Sequence, residues 1–234
     1  MSLGLRLANT GLRGVTGLIC RVDIAALARL PQHGPLIVVL NHINWLDVPL
    51  LMARAAPRRV VGLAKVESWE SPLLGALLDL WGTIPLRRGE ADMGALRRAL
   101  AVLRTGDIVA VFPEGTRSGH GRLQEGQPGA VLLALHSGAP ILPVVHYGGE
   151  RLSANLKRLR RTDLHITVGR PFYLDPHGMP VTREVRREMT TEMMFQMAAL
   201  LPPAYRGRYG DLSAASERYL RFPDGSAGNL DPSV

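Results

Sequence analysis

Residues 36–49 read Leu-Ile-Val-Val-Leu-Asn-His-Ile-Asn-Trp-Leu-Asp-Val-Pro, and this stretch decides the fold. Leu36 to Leu40 is an unbroken apolar run with the length of a buried strand. Its carboxyl end turns polar at Asn41 and His42, and Asp47 follows five positions after the histidine. Open α/β sheets place their ligand crevices at the carboxyl ends of strands. A histidine there titrates near neutral pH. A carboxylate five positions on, folded back across a turn, would hold one ring nitrogen and leave the other as a base. The spacing also permits a plainer account, a solvated loop histidine with Asp47 capping the next helix.

Outward from this stretch, strand and helix patterns alternate. Val48 to Ala55 reads as a short helix ended by Pro57, and Arg59 to Ala64 as a strand followed by Lys65. Ser71–Leu80 is a helix with Pro72 in its first turn, where the missing N–H costs nothing. Gly82 to Leu86 is a strand ending in Arg87 and Arg88. Asp92 to Leu103 is amphipathic, with Met93, Leu96, Leu100 and Leu103 expected inside and Arg97 and Arg98 outside. Ile108 to Phe112 is a strand whose ladder Pro113 ends. A helix over Pro128–His136 stops at Gly138, and strands at Ile141–Val145 and Leu164–Val168 follow. Thr182 is placed to cap a last long helix with Val185, Met189, Met193, Met197 and Leu200 on one stripe, read as core. Residues 221–234, rich in Gly, Ser, Asp and Pro, are expected to fray. The alternation predicts an α/β fold: one domain, with a central mixed or largely parallel sheet flanked by helices. The reading divides the chain into an N-terminal helical element at 1–30, a domain at 31–210 and a tail at 211–234.

Four motifs now stand in order. Asn41-His42 with Asp47 resembles the first motif of the glycerolipid acyltransferases, the bacterial 1-acylglycerol-3-phosphate acyltransferases among them. Gly82 to Arg88 resembles the second motif, whose last arginine falls on Arg88. Phe112-Pro113-Glu114-Gly115-Thr116-Arg117-Ser118 matches the third throughout. Ile141-Leu142-Pro143-Val144-Val145 resembles the fourth. One departure is Arg87, where the family often has an acidic residue. The resemblance implies an α/β acyltransferase domain with His42 and Asp47 catalytic. Its implied substrate-binding residues are Arg88, Glu114, Gly115, Thr116 and Arg117, with Asn41 and Lys65 beside them.

Composition bounds the partners. The 234 residues carry a formal charge of +8, and Lys65 and Lys157 are the only lysines. A basic surface favours anionic partners such as membrane lipid, nucleic acid or phosphorylated metabolites. Aromatics are 5% of the chain, and no zinc-finger or RNP-like pattern occurs, which argues against nucleic acid. Cys20 is the only cysteine, so no intrachain disulfide forms, which suits a reducing compartment. No apolar run reaches the roughly 18–20 residues that span a bilayer, and no signal-peptide pattern is present. Residues 1–30 place Leu5, Leu12 and Ile19 on one helical face, with Arg6, Arg13 and Arg21 alongside. Such a helix suits either a membrane interface or the domain's own surface.

The chemistry follows from these types. A neutral imidazole that removes a hydroxyl's proton during attack on a thioester contributes typically about 10²–10⁴ in rate. His42 is the expected base, with Asp47 orienting it. No Gly-x-Ser-x-Gly elbow is present for an acyl-enzyme route, so direct transfer is expected. Guanidinium at Arg117 and Arg88 suits an acceptor phosphate, and Glu114 is expected to brace an arginine or contact a hydroxyl. No cofactor or metal is expected, because the histidines lack ligand spacing. The co-substrate is acyl-CoA or acyl carrier protein, and the acceptor is a lysophospholipid such as 1-acylglycerol-3-phosphate. A lyso-ornithine lipid or glycolipid acceptor, and a non-catalytic lipid-binding protein, are the alternatives. The expected location is the cytoplasmic face of the cell membrane, bound peripherally.

Overall fold

The computed structural model describes residues 3–54, 58–87, 89, 92–225 and 227–231. Its centre is β2 (Leu36–Leu40), every residue of which is buried. β2 is flanked in parallel by β5 (Ile108–Val111), with Val38 opposite Ala110, and by β6 (Ile141–Tyr147), with Val38 opposite Leu142. A parallel strand covered on both faces needs apolar side chains at every position, which is why the run does not alternate. β3 (Val60–Lys65) pairs β5, and β4 (Ile84–Leu86) pairs β3, both parallel. On the other side β7 (Thr162–Val168) pairs β6 antiparallel, and β1 (Cys20–Asp23) pairs β7 in parallel. The sheet order is β1-β7-β6-β2-β5-β3-β4. Five parallel strands thus carry a reversed pair at one edge.

Successive β2 side chains feed opposite layers. Ile37 and Val39 join a core with α4 (Met93–Arg104), α5 (Gly129–Ser137) and α7 (Arg183–Ala199). Leu36, Val38 and Leu40 join a core with α2 (Asp47–Arg54) and α3 (Pro72–Leu80), against which Leu5 and Leu12 of α1 (Leu3–Ile19) also pack. The caps are those the residue types favour. The Asp92 carboxylate accepts from the N–H of Ala95, and the Thr182 hydroxyl accepts from Val185. Gly138 ends α5 in the left-handed region at φ 65°. Met189, Met193 and Met197 are fully buried, as the stripe on α7 requires.

Several expectations are corrected. The 1–30 segment is not helical throughout, because Cys20–Asp23 is a sheet strand whose ladder is supplied by β7. The Leu5, Leu12 and Ile19 face of α1 turns inward; Ile19 packs against a small core around Cys20, Leu46, Leu50, Leu152 and Leu164. Two polar bonds fix that orientation: the Trp81 indole N–H donates to Asn9 Oδ1, and Arg54 donates to the Thr16 hydroxyl. Leu7 and Leu18 face solvent, at 65% and 77% exposure. The motif-two strand is shorter than expected because Gly82, at φ 67°, closes the turn after α3. The stretch expected to fray is anchored within 227–231: Asn229 is buried, its N–H donating to Gln196 Oε1 while its Oδ1 accepts from Arg170. A further short helix, α6 (Leu152–Lys157), and a two-stranded antiparallel pair, β8 (Tyr173–Leu174) with β9 (Leu220–Arg221), lie outside the sequence reading.

Candidate active site

The chain leaves β5, forms α5 on one face of the sheet and enters β6 on the far side of β2. The carboxyl ends of β2 and β5 therefore meet where strand order reverses, the place where open sheets form crevices. The loop after β2 holds Asn41 and His42, and α2 begins at Asp47.

Asp47 folds back onto that loop instead of capping forward. Its Oδ2 lies 2.8 Å from His42 Nδ1 and accepts the N–H groups of Ile43 at 2.7 Å and Asn44 at 2.9 Å. The carboxylate accepts, so Nδ1 carries the proton and Nε2 keeps its lone pair. His42 Nε2 makes no hydrogen bond among the described residues. Phe112 packs its ring 4.3 Å from the imidazole. Both groups are buried, His42 at 8% exposure and Asp47 at 5%. A fixed tautomer with a free nitrogen is the arrangement of a general base.

The third motif clamps the first. The N–H of His42 donates to Glu114 Oε1 at 2.8 Å, and the other carboxylate oxygen accepts the N–H of Gln124 at 3.0 Å. Ser118 N–H donates to His42 O, and Gly119 N–H to Ile43 O. Gly115 bends at φ 67°, which sends the chain past His42 and which glycine adopts without strain. Glu114 is thus a buried backbone brace and not the expected partner of an arginine. Burial pushes its carboxyl above the ordinary range, and the two N–H donors only partly offset this.

Asn41 extends the β2–β6 ladder with its side chain. Its Nδ2 donates to His146 O and its Oδ1 accepts from His146 N. Asn44 likewise donates to Gly149 O. Thr116 and Arg117 are exposed on the motif-three turn, and Arg117 has no hydrogen bond or ion pair among the described residues. Lys65 is exposed at the end of β3, in register with Leu86, so Lys65 and Arg87 end adjacent strands on the same edge of the sheet. Arg88 lies outside the described residues. His120 is an exposed loop residue whose Nδ1 accepts from Arg122 N–H. Among the described residues no cluster of three His, Cys, Asp or Glu suits a metal, and no helix is long and apolar enough to cross a membrane.

Sequence reasoning assigned no role to Phe112's ring, Gln124, Asn44 or His146. His146 carried a usable signal, a polar residue ending a buried apolar strand, the same feature that drew attention to Asn41 and His42. Gln124 and Asn44 act through backbone geometry that spacing does not encode.

Known proteins resemble this chain in sequence and fold. A 1-acyl-sn-glycerol-3-phosphate acyltransferase of Brassica napus, BAT2, is 28% identical over 65% of this chain and 45% of its own length. A lyso-ornithine lipid O-acyltransferase of Pseudomonas aeruginosa is 34% identical over 59% of each chain. The chain spans about half the length of the first of these relatives. The crystal structure of the LPA acyltransferase PlsC from Thermotoga maritima shares the fold, with a TM-score of 0.59, 24% identity and coverage of 81% of this chain and 76% of that one. The acyltransferase family model matches residues 21–147, the span that runs from β1 to the end of β6 and holds His42, Asp47 and Glu114, and the chain belongs to that family.

Proposed function

We propose that the protein moves a fatty acyl group from acyl-CoA or acyl carrier protein to the free hydroxyl of a lysophospholipid, 1-acylglycerol-3-phosphate being the leading acceptor. The observation that carries this reading is the buried His42–Asp47 pair, with Nδ1 pinned and Nε2 free. His42 Nε2 takes the acceptor's hydroxyl proton as its oxygen attacks the thioester carbonyl. The tetrahedral intermediate collapses, the carbon–sulfur bond breaks, and the thiolate recovers the proton from His42. Asp47 stabilises the imidazolium between these steps.

Support for a phosphate-bearing acceptor comes from Arg117, exposed on the motif-three turn, and from Lys65 and Arg87, exposed at the carboxyl ends of adjacent strands. The reading assigns Arg88, Thr116 and Gly115 to the same subsite. A lyso-ornithine lipid is the second acceptor considered, favoured by the name of the Pseudomonas aeruginosa relative. The exposed apolar face of α1 at Leu7, Val15 and Leu18 supports peripheral binding to a membrane, and the reading puts that attachment on the cytoplasmic face.

The test is release of free thiol from acyl-CoA with a panel of lyso-acceptors. His42→Ala is expected to lose about a hundredfold or more in turnover while staying folded, the lower end of a general-base contribution. Near-normal turnover in that variant would overturn the mechanism. Arg117→Lys is expected to raise the KM of a phosphate-bearing acceptor about tenfold, because an ammonium cannot reproduce the planar fork. An equal rise for an acceptor without phosphate removes phosphate recognition from Arg117.

A further inference from the structure

The mechanism above uses one oxygen of Asp47. Its Oδ2 accepts three donors, from His42, Ile43 and Asn44. Its Oδ1 faces a second histidine, His146 at the carboxyl end of β6, whose Nε2 lies 3.5 Å away. The same Nε2 lies 3.2 Å from the carbonyl oxygen of Asn41. Both neighbours only accept, so Nε2 carries the hydrogen; it donates to the Asn41 carbonyl and lies within ion-pair distance of Asp47 Oδ1. The other ring nitrogen, Nδ1, is buried without a hydrogen-bond partner. A buried, unpaired imidazole nitrogen costs the fold stability that an apolar side chain would keep. The return on that cost lies on the Nε2 side.

We propose that His146 is a positioning residue for acyl transfer, holding the far oxygen of Asp47 so that the carboxylate stays aimed at His42. The proposal rests on His42 being the base of the reading above. Asp47 sits between two imidazoles, His42 on one oxygen and His146 on the other. The second contact opposes rotation of the carboxylate about its Cβ–Cγ bond. It also draws off part of the negative charge that Asp47 presents to His42. The groups that face the His146 ring are Asp47 at the start of α2 and, across it, His42. β2 adds the neutral Asn41, and β7 adds Ile166, opposite His146 in register. The clamp is tied at both ends, because the side chain of Asn41 holds the backbone of His146 through two bonds.

The experiment compares the full-length protein with His146→Gln, His146→Asn and His146→Leu. Glutamine places an N–H close to the position of Nε2. Asparagine is polar but too short to reach, and leucine has no donor. Two readouts are taken: the titration of His42 by NMR of histidine-labelled protein, assigned with His42→Ala, and steady-state kinetics with acyl-CoA and lysophosphatidic acid. Loss of the donor is expected to lower kcat about tenfold with the acceptor KM within about twofold. It is also expected to move the His42 midpoint measured in the NMR titration to higher pH than in the wild type, since Asp47 then acts on His42 alone. His146→Gln is expected to match the wild type in both. An unmoved His42 midpoint in both His146→Leu and His146→Asn overturns the proposal, as does His146→Gln proving as damaged as they are. If His146→Leu does not fold, the Asn and Gln variants decide it. If the wild type fails to transfer acyl groups yet the midpoint shift is present, the functional reading falls and the positioning role stands.

Discussion

At the scale of single residues, the site is a set of carboxylates doing unlike work. Asp47 holds Nδ1 of His42, which leaves Nε2 as the nitrogen that takes the proton in the proposed reaction. Glu114 accepts the backbone N–H groups of His42 and Gln124 and braces the loop rather than a ring nitrogen. The difference predicts different mutants. Glu114→Gln keeps an acceptor for one N–H but turns an amide N–H₂ toward the other, leaving a buried donor facing a donor. An unmade buried hydrogen bond costs about 1–3 kcal/mol, and in a domain of this size that lowers the Tm by roughly 2–4 °C per kcal/mol. The variant also changes the pH dependence. Burial holds the Glu114 carboxyl above its ordinary value, so the native state binds its proton more tightly than the unfolded chain. That contribution to stability is fully present below the ordinary carboxylate value and is lost as pH rises from there through the raised value. Urea unfolding across pH 4 to 7 is expected to show the wild type losing its advantage over Glu114→Gln as pH rises through that window. A constant difference would mean that the carboxyl is not shifted.

At the scale of elements, what was legible and what was not divide by the range of the interactions. The continuous run Leu36–Leu40 reads as a strand covered on both faces, and the four-residue spacing of Met189, Met193 and Met197 reads as a helical stripe turned to the core. Both readings need nothing beyond their own segment. β1 was not legible, because four residues of Cys-Arg-Val-Asp become a strand only when β7 supplies the ladder. α1 was half legible: its apolar residues form two stripes, and long-range bonds, Asn9 with Trp81, Thr16 with Arg54 and Arg13 with Ala53 O, decide which turns inward. Arg117 was found by motif, whereas the bracing of Glu114 depends on a fold-back that spacing does not reveal.

The least legible element is the strap after α7. Tyr205 O accepts from Leu123 N–H, and Tyr209 OH accepts from Gly126 N–H. Both bonds hold the loop whose Gln124 N–H reaches Glu114. Gly207 lies against this loop at φ 51°, and a Cβ there would come within 2.1 Å of Leu123 O. Gly207→Ala is therefore expected to push strap and loop apart, lowering the Tm and reducing acyl transfer severalfold through Glu114 and the His42 backbone. Gly210→Ala, whose Cβ would meet nothing closer than 3.4 Å, is the control and is expected to be nearly silent. Equal behaviour of the two variants in a thermal melt and a thiol-release assay would show that the strap does not brace the site.

At the scale of the whole molecule, the two helical layers differ in what they show to solvent. The layer of α4, α5 and α7 carries charge outward, with Arg97, Arg98 and Arg104 on α4 and Arg183, Arg187 and Glu188 on α7, and with Met93 as its large exposed apolar residue. The layer of α1 and α3 exposes Leu7, Val15, Leu18, Leu73 and Leu74, and Trp45 stands exposed on the loop of His42 itself. Scattered apolar residues need no explanation, and Ile24, Met93, Leu156 and Leu159 are exposed elsewhere, but the group on α1 and α3, with Trp45 on the loop of His42, suits the proposed membrane attachment. Burying a leucine side chain contributes about 1.5–3 kcal/mol, so two of them govern much of a weak, reversible attachment. The pair Leu7→Glu and Leu18→Glu, both on the solvent face of α1, is expected to reduce flotation with anionic vesicles severalfold or more. Met93→Glu, on the opposite layer, is expected to leave flotation unchanged. Raising the salt should weaken the wild type as well, since a net charge of +8 adds a screened electrostatic share. If the doubly substituted protein floats as well as the wild type, α1 is not the membrane face. If it loses flotation yet keeps its rate on a short-chain, water-soluble acceptor, the two acidic residues have removed the surface and left the site intact, which separates where the enzyme binds from how it reacts.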